Sequence, residues 1–183
     1  MSRPALSATR CIDILDFLAE RLRVQLRAEG ARHDVLAAVF AAGADDDITR
    51  LLRRTEAVSA LLGQEDGANL LAAYRRAANI LRIEERKDGP HTDAPDSSLL
   101  AEPAEKSLHR GIISGLAIGT LVHDEKYAEA MAEMAKLRTP LDAFFDTVTV
   151  NAAEPQIRRN RLRLLNQVRS TMDRVADFSR IEG

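Results

Sequence analysis

Tryptophan is absent from this sequence, and five phenylalanines and two tyrosines bring the aromatic share to only 4%. A sandwich or barrel core leans on aromatic and β-branched side chains, so this scarcity weighs against an all-β fold. A single cysteine, Cys11, excludes an internal disulfide. None of His33, His91, His109 or His123 stands close to it in sequence, so no zinc spacing arises and a reducing cytoplasm is the expected compartment. Long apolar runs are missing too. The longest, residues 111–122, falls short of the roughly 20 residues a bilayer crossing needs, and residues 1–10 have no apolar core for a secretory leader or anchor. Neither sign of charge dominates: 26 Lys and Arg against 28 Asp and Glu leave a net charge of −2, so any binding of a polyanion must come from local segregation of charge.

What the chain does have is alanine, leucine and arginine. Apolar residues make up 45% of the 183 positions, a balance that favours helices and predicts an all-α bundle in a single domain spanning 1–183. Period and punctuation together predict about seven helices. The first covers about 12–29, with Ile14, Leu15, Leu18, Leu22 and Leu26 on one side and Gly30 as its stop. A short second runs over 35–42 to Gly43. The acidic cluster Asp45, Asp46 and Asp47 caps a third over 48–62, because carboxylates accept the free N–H groups of a first turn. A fourth, about 67–87, stops at Asp88-Gly89-Pro90, and a surface loop rich in Pro, Asp and Ser follows over about 88–101. Pro103 opens a fifth helix, to about Val122, in which Gly111, Gly115 and Gly119 leave one stripe bare for close approach of a neighbour. A sixth is expected over 126–137. Thr139-Pro140-Leu141-Asp142 reads as a capping box before a short helix through Phe144 and Phe145, and Glu154-Pro155 starts the last and longest, to about Phe178.

Arginine is placed unevenly. On the fourth helix, successive steps of about 100° gather Leu70, Tyr74, Ala77, Ala78 and Leu81 on one face and Arg75, Asn79, Arg82 and Arg86 on the opposite one. The last helix puts Ile157, Leu164, Leu165, Val168, Met172 and Val175 on a buried seam, with Arg159, Arg163, Ser170 and Arg174 outside it and Arg158 to one side. Arg161 projects into the apolar arc. A buried guanidinium needs a partner, and Asp142 or Asp146, just upstream, are the candidates. Two arginine stripes with Asn and Ser interspersed suit a single-stranded or looped RNA, since guanidinium groups hold phosphates and stack on splayed bases. A solvated face bridged to acidic neighbours is the plainer alternative.

Catalytic constellations are missing: there is no Gly-rich phosphate loop, HExxH, GxSxG or CxxC. His109 and Ser114 lie on one helix rather than on facing elements, and the Asp45–Asp47 run lacks the alternating ligands and distal Glu of a calcium loop.

The stretches "EDGANLLAAYRRAANILRIEE" (65–85) and "LRTPLDAFFDTVTVNAAEPQIRRNRLRLLNQVRSTMDRVADFSRI" (137–181) resemble the C-terminal anticodon-binding domain of the β subunit of bacterial glycyl-tRNA synthetase. "FLAERLRVQLRAEGARHDVLAAVF" (17–40) is similar to the entry of the same domain. The letters that carry the resemblance include Tyr74, Arg76, Asn79, Phe144, Phe145, Asp146, Asn151, Arg158, Asn160, Arg161 and Leu162, while Thr149 departs from an expected methionine. The resemblance implies a helical bundle of the type seen in arginyl-tRNA synthetase, here the tail of a longer subunit. It implies a role in holding tRNA(Gly) by its anticodon, with the α subunit and the remainder of the β subunit as partners and no membrane. No cofactor is expected in this domain, since ATP and Mg would belong to the α subunit. Combined with the helix faces, it nominates Arg75, Arg76, Asn79, Arg82, Arg86, Arg158, Arg159 and Arg163 for RNA, and Asp146 with Arg161 as a structural pair. A protein-interaction bundle for subunit assembly is the alternative.

Overall fold

A computed structural model describes the backbone of residues 8–42 and 47–182, and the side chains of 17–18, 20–42 and 47–182. Within these residues the chain is helical, without strands: α1 (Ala8–Ala28), α2 (His33–Ala41), α3 (Ile48–Leu62), α4 (Glu65–Asp88), α5 (Pro103–Ser114), α6 (Ala117–His123), α7 (Tyr127–Ala135), α8 (Arg138–Thr147) and α9 (Pro155–Met172), with 3-10 turns at Ser97–Leu99 and Phe178–Arg180. The predicted all-α class holds. No helix among the described residues is long and apolar enough to cross a membrane.

α4 is the axis. Its face of Leu70, Leu71, Tyr74, Ala77 and Leu81 is buried and packs between α3, α8 and α9, which contribute Leu51, Val58, Leu61, Phe144, Leu162, Leu165 and Val168 to the shared core. Gly89 ends α4 at φ 83°, a left-handed conformation that glycine adopts without strain, and Pro90 forbids continuation. At the other end, α3 and α4 approach so closely that a Cβ on Gly67 would stand 1.9 Å from the carbonyl oxygen of Leu61. Asp47 caps α3 as expected, accepting from the Thr49 N–H at 2.8 Å and the Arg50 N–H at 3.3 Å. Asp45, Asp46, Gly43 and the side chains of Cys11, Ile14 and Leu15 lie outside the described residues.

Several boundaries differ from the sequence pattern. The fifth predicted helix is two: α5 ends at Gly115, and α6 resumes after Leu116, which is exposed. Close approach holds at Gly111, which faces Leu137 and Pro140. Thr139 lies inside α8 rather than at its cap, because the chain enters that helix directly from α7 through Leu137. The last helix stops at Met172, not Phe178. Beyond it the chain turns so that Val175, Ala176, Phe178 and Ile181 all reach the core, and the Asp177 N–H bonds the Ala38 carbonyl at 2.9 Å. The apolar seam continues past the helix because the turn, like the helix, is buried.

Where α9 ends, the Asp173 carboxylate accepts from the Tyr74 hydroxyl at 2.7 Å. Burial pushes the Asp173 carboxyl above its ordinary range, and the charge of Asp177 adds to the rise. Its position at a helix C-terminus is also unfavourable for an anion. A folded-state pKa above the unfolded value means the ionised group opposes folding at neutral pH, and that this penalty disappears as pH falls below the unfolded value. Asp173→Asn, which keeps an acceptor for Tyr74, therefore raises Tm at pH 7 and has little effect near pH 3. Thermal melts at the two pH values check this.

Candidate nucleic-acid interface

The arginine-rich start of α9 is mostly a clamp. Arg158 bonds Glu84 and, at 2.6 Å, Asp88, both on α4. Hydrogen bonds from Lys87 and Arg158 hold the buried Glu84 carboxyl below its ordinary range despite its burial, and Arg158 does the same for Asp88. Asn160 grips the 88–101 loop from both sides, accepting from the Asp96 N–H at 2.7 Å and donating to its carbonyl at 2.9 Å. Arg163 pairs with Asp93 in the same loop. Arg158 and Arg163, nominated for RNA, are thus tied to carboxylates of this chain.

Arg161 is buried and paired, as its place in the apolar arc requires, but not with Asp142 or Asp146. Its Nε bonds Oε1 of Glu105 on α5 at 2.5 Å, and its Nη1 bonds the Thr149 carbonyl at 2.7 Å. The other Glu105 oxygen accepts from the Glu102 N–H at 2.7 Å. Side-chain direction is the reason: on α9 Arg161 faces inward toward α5, whereas Asp146 stands exposed on α8.

Of the α4 stripe, Arg75 is half-buried and donates to the Ile181 carbonyl, so it fastens the C-terminal segment. Asn79, Arg82 and Arg86 are exposed, and neither arginine has an ion pair among the described residues. Arg159, at the start of α9, is exposed as well, and its charge is felt by Asp88. Beside the stripe, the guanidinium of Arg76 lies over the Phe145 ring, 4.4 Å from its centroid. Phe145 in turn meets Phe144 edge-on at 5.6 Å.

This Arg76–Phe145 ridge separates two adjoining cavities between α4 and α8. One, of about 420 Å³, is lined by Asn69, Arg76, Arg138, Asp142, Phe145 and Asp146. The other, of about 380 Å³, shares Arg76, Phe145 and Asp146 and extends along the 147–151 turn to Asn151. Both fall in the size range of small-ligand sites, about 300–1,000 Å³. The outer side of α4 therefore presents a stacked guanidinium with cavities on one flank and, on the other, guanidinium groups without an ion pair among the described residues. Such a surface can hold phosphates and stack bases. Arg76 is among the residues the sequence nominates, but the grooves are not legible there: Asp146, expected to pair with Arg161, lines both cavities instead. No group of three or more His, Cys, Asp or Glu among the described residues is placed to hold a metal ion.

Known proteins are similar to this chain over most of its length. Over 174 residues, 93% of this chain and 24% of the relative, the sequence is 49% identical to the glycine–tRNA ligase beta subunit of Rhodospirillum centenum. It is 51% identical over 173 residues to the protein of the same name from Phenylobacterium zucineum, covering 26% of that relative. For the beta subunit of Cereibacter sphaeroides the identity is 46% over 173 residues, 25% of its length. The chain spans about a quarter of the length of these curated relatives. A family model described as the DALR anticodon binding domain matches residues 70–178, from the core face of α4 through the cavities and the clamp to the last turn. With more than half of its residues inside that match, the chain belongs to the DALR anticodon-binding domain family.

Proposed function

We propose that this chain is the tRNA-binding module of a glycine–tRNA ligase beta subunit, and that it grips the anticodon region of tRNA(Gly) with the outer side of α4. Aminoacylation, with its ATP and Mg, belongs to the alpha subunit. This module contributes no catalytic group or cofactor and works in the cytoplasm. The observation that carries the reading is the pairing pattern of the arginines. Arg75, Arg158, Arg161 and Arg163 are engaged within the fold, while Arg82 and Arg86 remain exposed and, among the described residues, unpaired beside the Arg76–Phe145 stack. Guanidinium groups that the fold does not use are the ones available to phosphates, and deep-grooved RNA duplexes leave loops as the part that side chains read.

Arg82→Ala and Arg86→Ala test it directly. Each leaves Tm near that of the parent, since neither side chain is paired. Each also weakens tRNA(Gly) binding and lowers the slope of log K against log salt by about one for every phosphate that the variant no longer neutralises. Unchanged affinity and slope in both variants would remove α4 from the interface.

A second reading, docking onto the rest of the synthetase, is favoured by the exposed apolar side chains of α1, Phe17 at 63% and Val24 at 64% accessibility. α1 packs on the core through Leu22, which leaves Phe17 and Val24 open to a partner. Substituting Phe17 with Ser would then disturb subunit assembly and leave tRNA binding intact.

A further inference from the structure

With Arg161 tied to Glu105, Asp146 has no structural partner: among the described residues it makes no hydrogen bond and no ion pair. It occupies the last turn of α8, where free carbonyls carry partial negative charge and an acidic side chain is disfavoured. Yet it is exposed and lines both cavities, each time together with Arg76 and Phe145. Arg76 makes no hydrogen bond among the described residues, and the phenyl ring covers one face of its guanidinium, leaving the other face and the N–H edge open.

We propose that Arg76 and Asp146 hold one unstacked base of the bound RNA loop, and that Asp146 selects a base with an exocyclic amine on its pairing edge, cytosine over uracil. This rests on the RNA-binding reading above and adds base identity to it. The base stacks on the open face of Arg76, a plane kept in position by Phe145, so little ordering is required when the RNA arrives. Cytosine then directs its N4 amine at a carboxylate, the acceptor suited to it. Uracil presents O4 at the same point, an acceptor facing an acceptor, and is rejected as well as unrewarded. A carboxylate is otherwise out of place on a surface that meets a polyanion, and direct readout of an amine gives it a purpose.

The test measures binding of this chain to a tRNA(Gly) transcript and to transcripts in which each anticodon-loop cytidine is singly replaced by uridine, for the parent, Asp146→Asn, Arg76→Lys and Arg76→Ala. Circular dichroism confirms that each variant is folded. One C-to-U replacement is expected to weaken parent binding about tenfold or more. Asp146→Asn, whose amide can donate as well as accept, brings that pair of RNAs close to equal affinity. Arg76→Lys keeps the charge but not the plane, and binds both RNAs more weakly than the parent. If Asp146→Asn keeps the parent's preference, or the parent has none, the base assignment is overturned while RNA binding stands. If Arg76→Lys and Arg76→Ala bind like the parent, the stacking platform is overturned. Absence of any tRNA binding by the parent would overturn both the inference and the reading beneath it.

Discussion

Gly67→Ala lowers the melting temperature of this chain by about 6–12 °C, a loss of about 3 kcal/mol for a protein of this size. On propensity alone the change is favourable, since alanine in a helix is better than glycine by about 1 kcal/mol. Space reverses the sign. The added methyl would lie 1.9 Å from the Leu61 carbonyl oxygen and 2.6 Å from its carbon. Both are backbone atoms of α3 that no rotamer change can move. Relief requires the two helices to separate at the turn that joins them, which loosens Leu61 and Leu70 in the core. Gly63, in the same turn, is the control: a Cβ there meets nothing nearer than 3.5 Å and its φ is −73°. Gly63→Ala is therefore expected to change stability by less than about 0.5 kcal/mol. Denaturant melts of the two variants, differing only in which glycine gains a methyl, isolate the clash.

Arg161→Ala costs about 3–5 kcal/mol, because it leaves a buried carboxylate without its cation. Glu105 is 1% exposed and gives one oxygen to Arg161 and the other to the Glu102 N–H, so the same side chain joins α9 to the first turn of α5. Removing the guanidinium also strands the Thr149 carbonyl. The effect should reach the cavity wall, since Thr149 belongs to the turn that lines it. Replacing both partners, Arg161→Met with Glu105→Leu, recovers most of the stability, because an apolar pair of similar volume avoids burying charge. Urea melts of the two single variants and the double variant give the coupling directly. A double variant as unstable as Arg161→Ala would mean that the missing hydrogen bonds, not the stranded charge, set the cost.

Local chemistry is legible in the sequence. Asp47 as a cap, Gly89-Pro90 as a stop and the buried face of α4 all follow from neighbours within a few positions, where capping and helical period operate. Long-range pairing is not. The partner of Arg161 lies 56 positions upstream on another helix, beyond the reach of any reading confined to the adjacent Asp142 and Asp146. The same limit leaves the outward arginines undivided. Outward position on a wheel is shared by Arg159, Arg163, Arg82 and Arg75, but only the packing of the 88–101 loop and the C-terminal segment decides that Arg163 meets Asp93 and Arg75 meets Ile181. The sequence pattern starts the fourth helix at about residue 67. In fact the helix begins at Glu65, and the glycine is there for its lack of a side chain.

Recognition of the tRNA(Gly) anticodon by the exposed side of α4 is tested by titrating the chain with tRNA(Gly) and with the same tRNA carrying a substituted anticodon, at two salt concentrations. Both RNAs are expected to bind more weakly as salt rises, because phosphates supply much of the affinity, and the native anticodon is expected to bind more tightly at either salt. Equal affinity for the two RNAs, or no measurable binding of either, would contradict it.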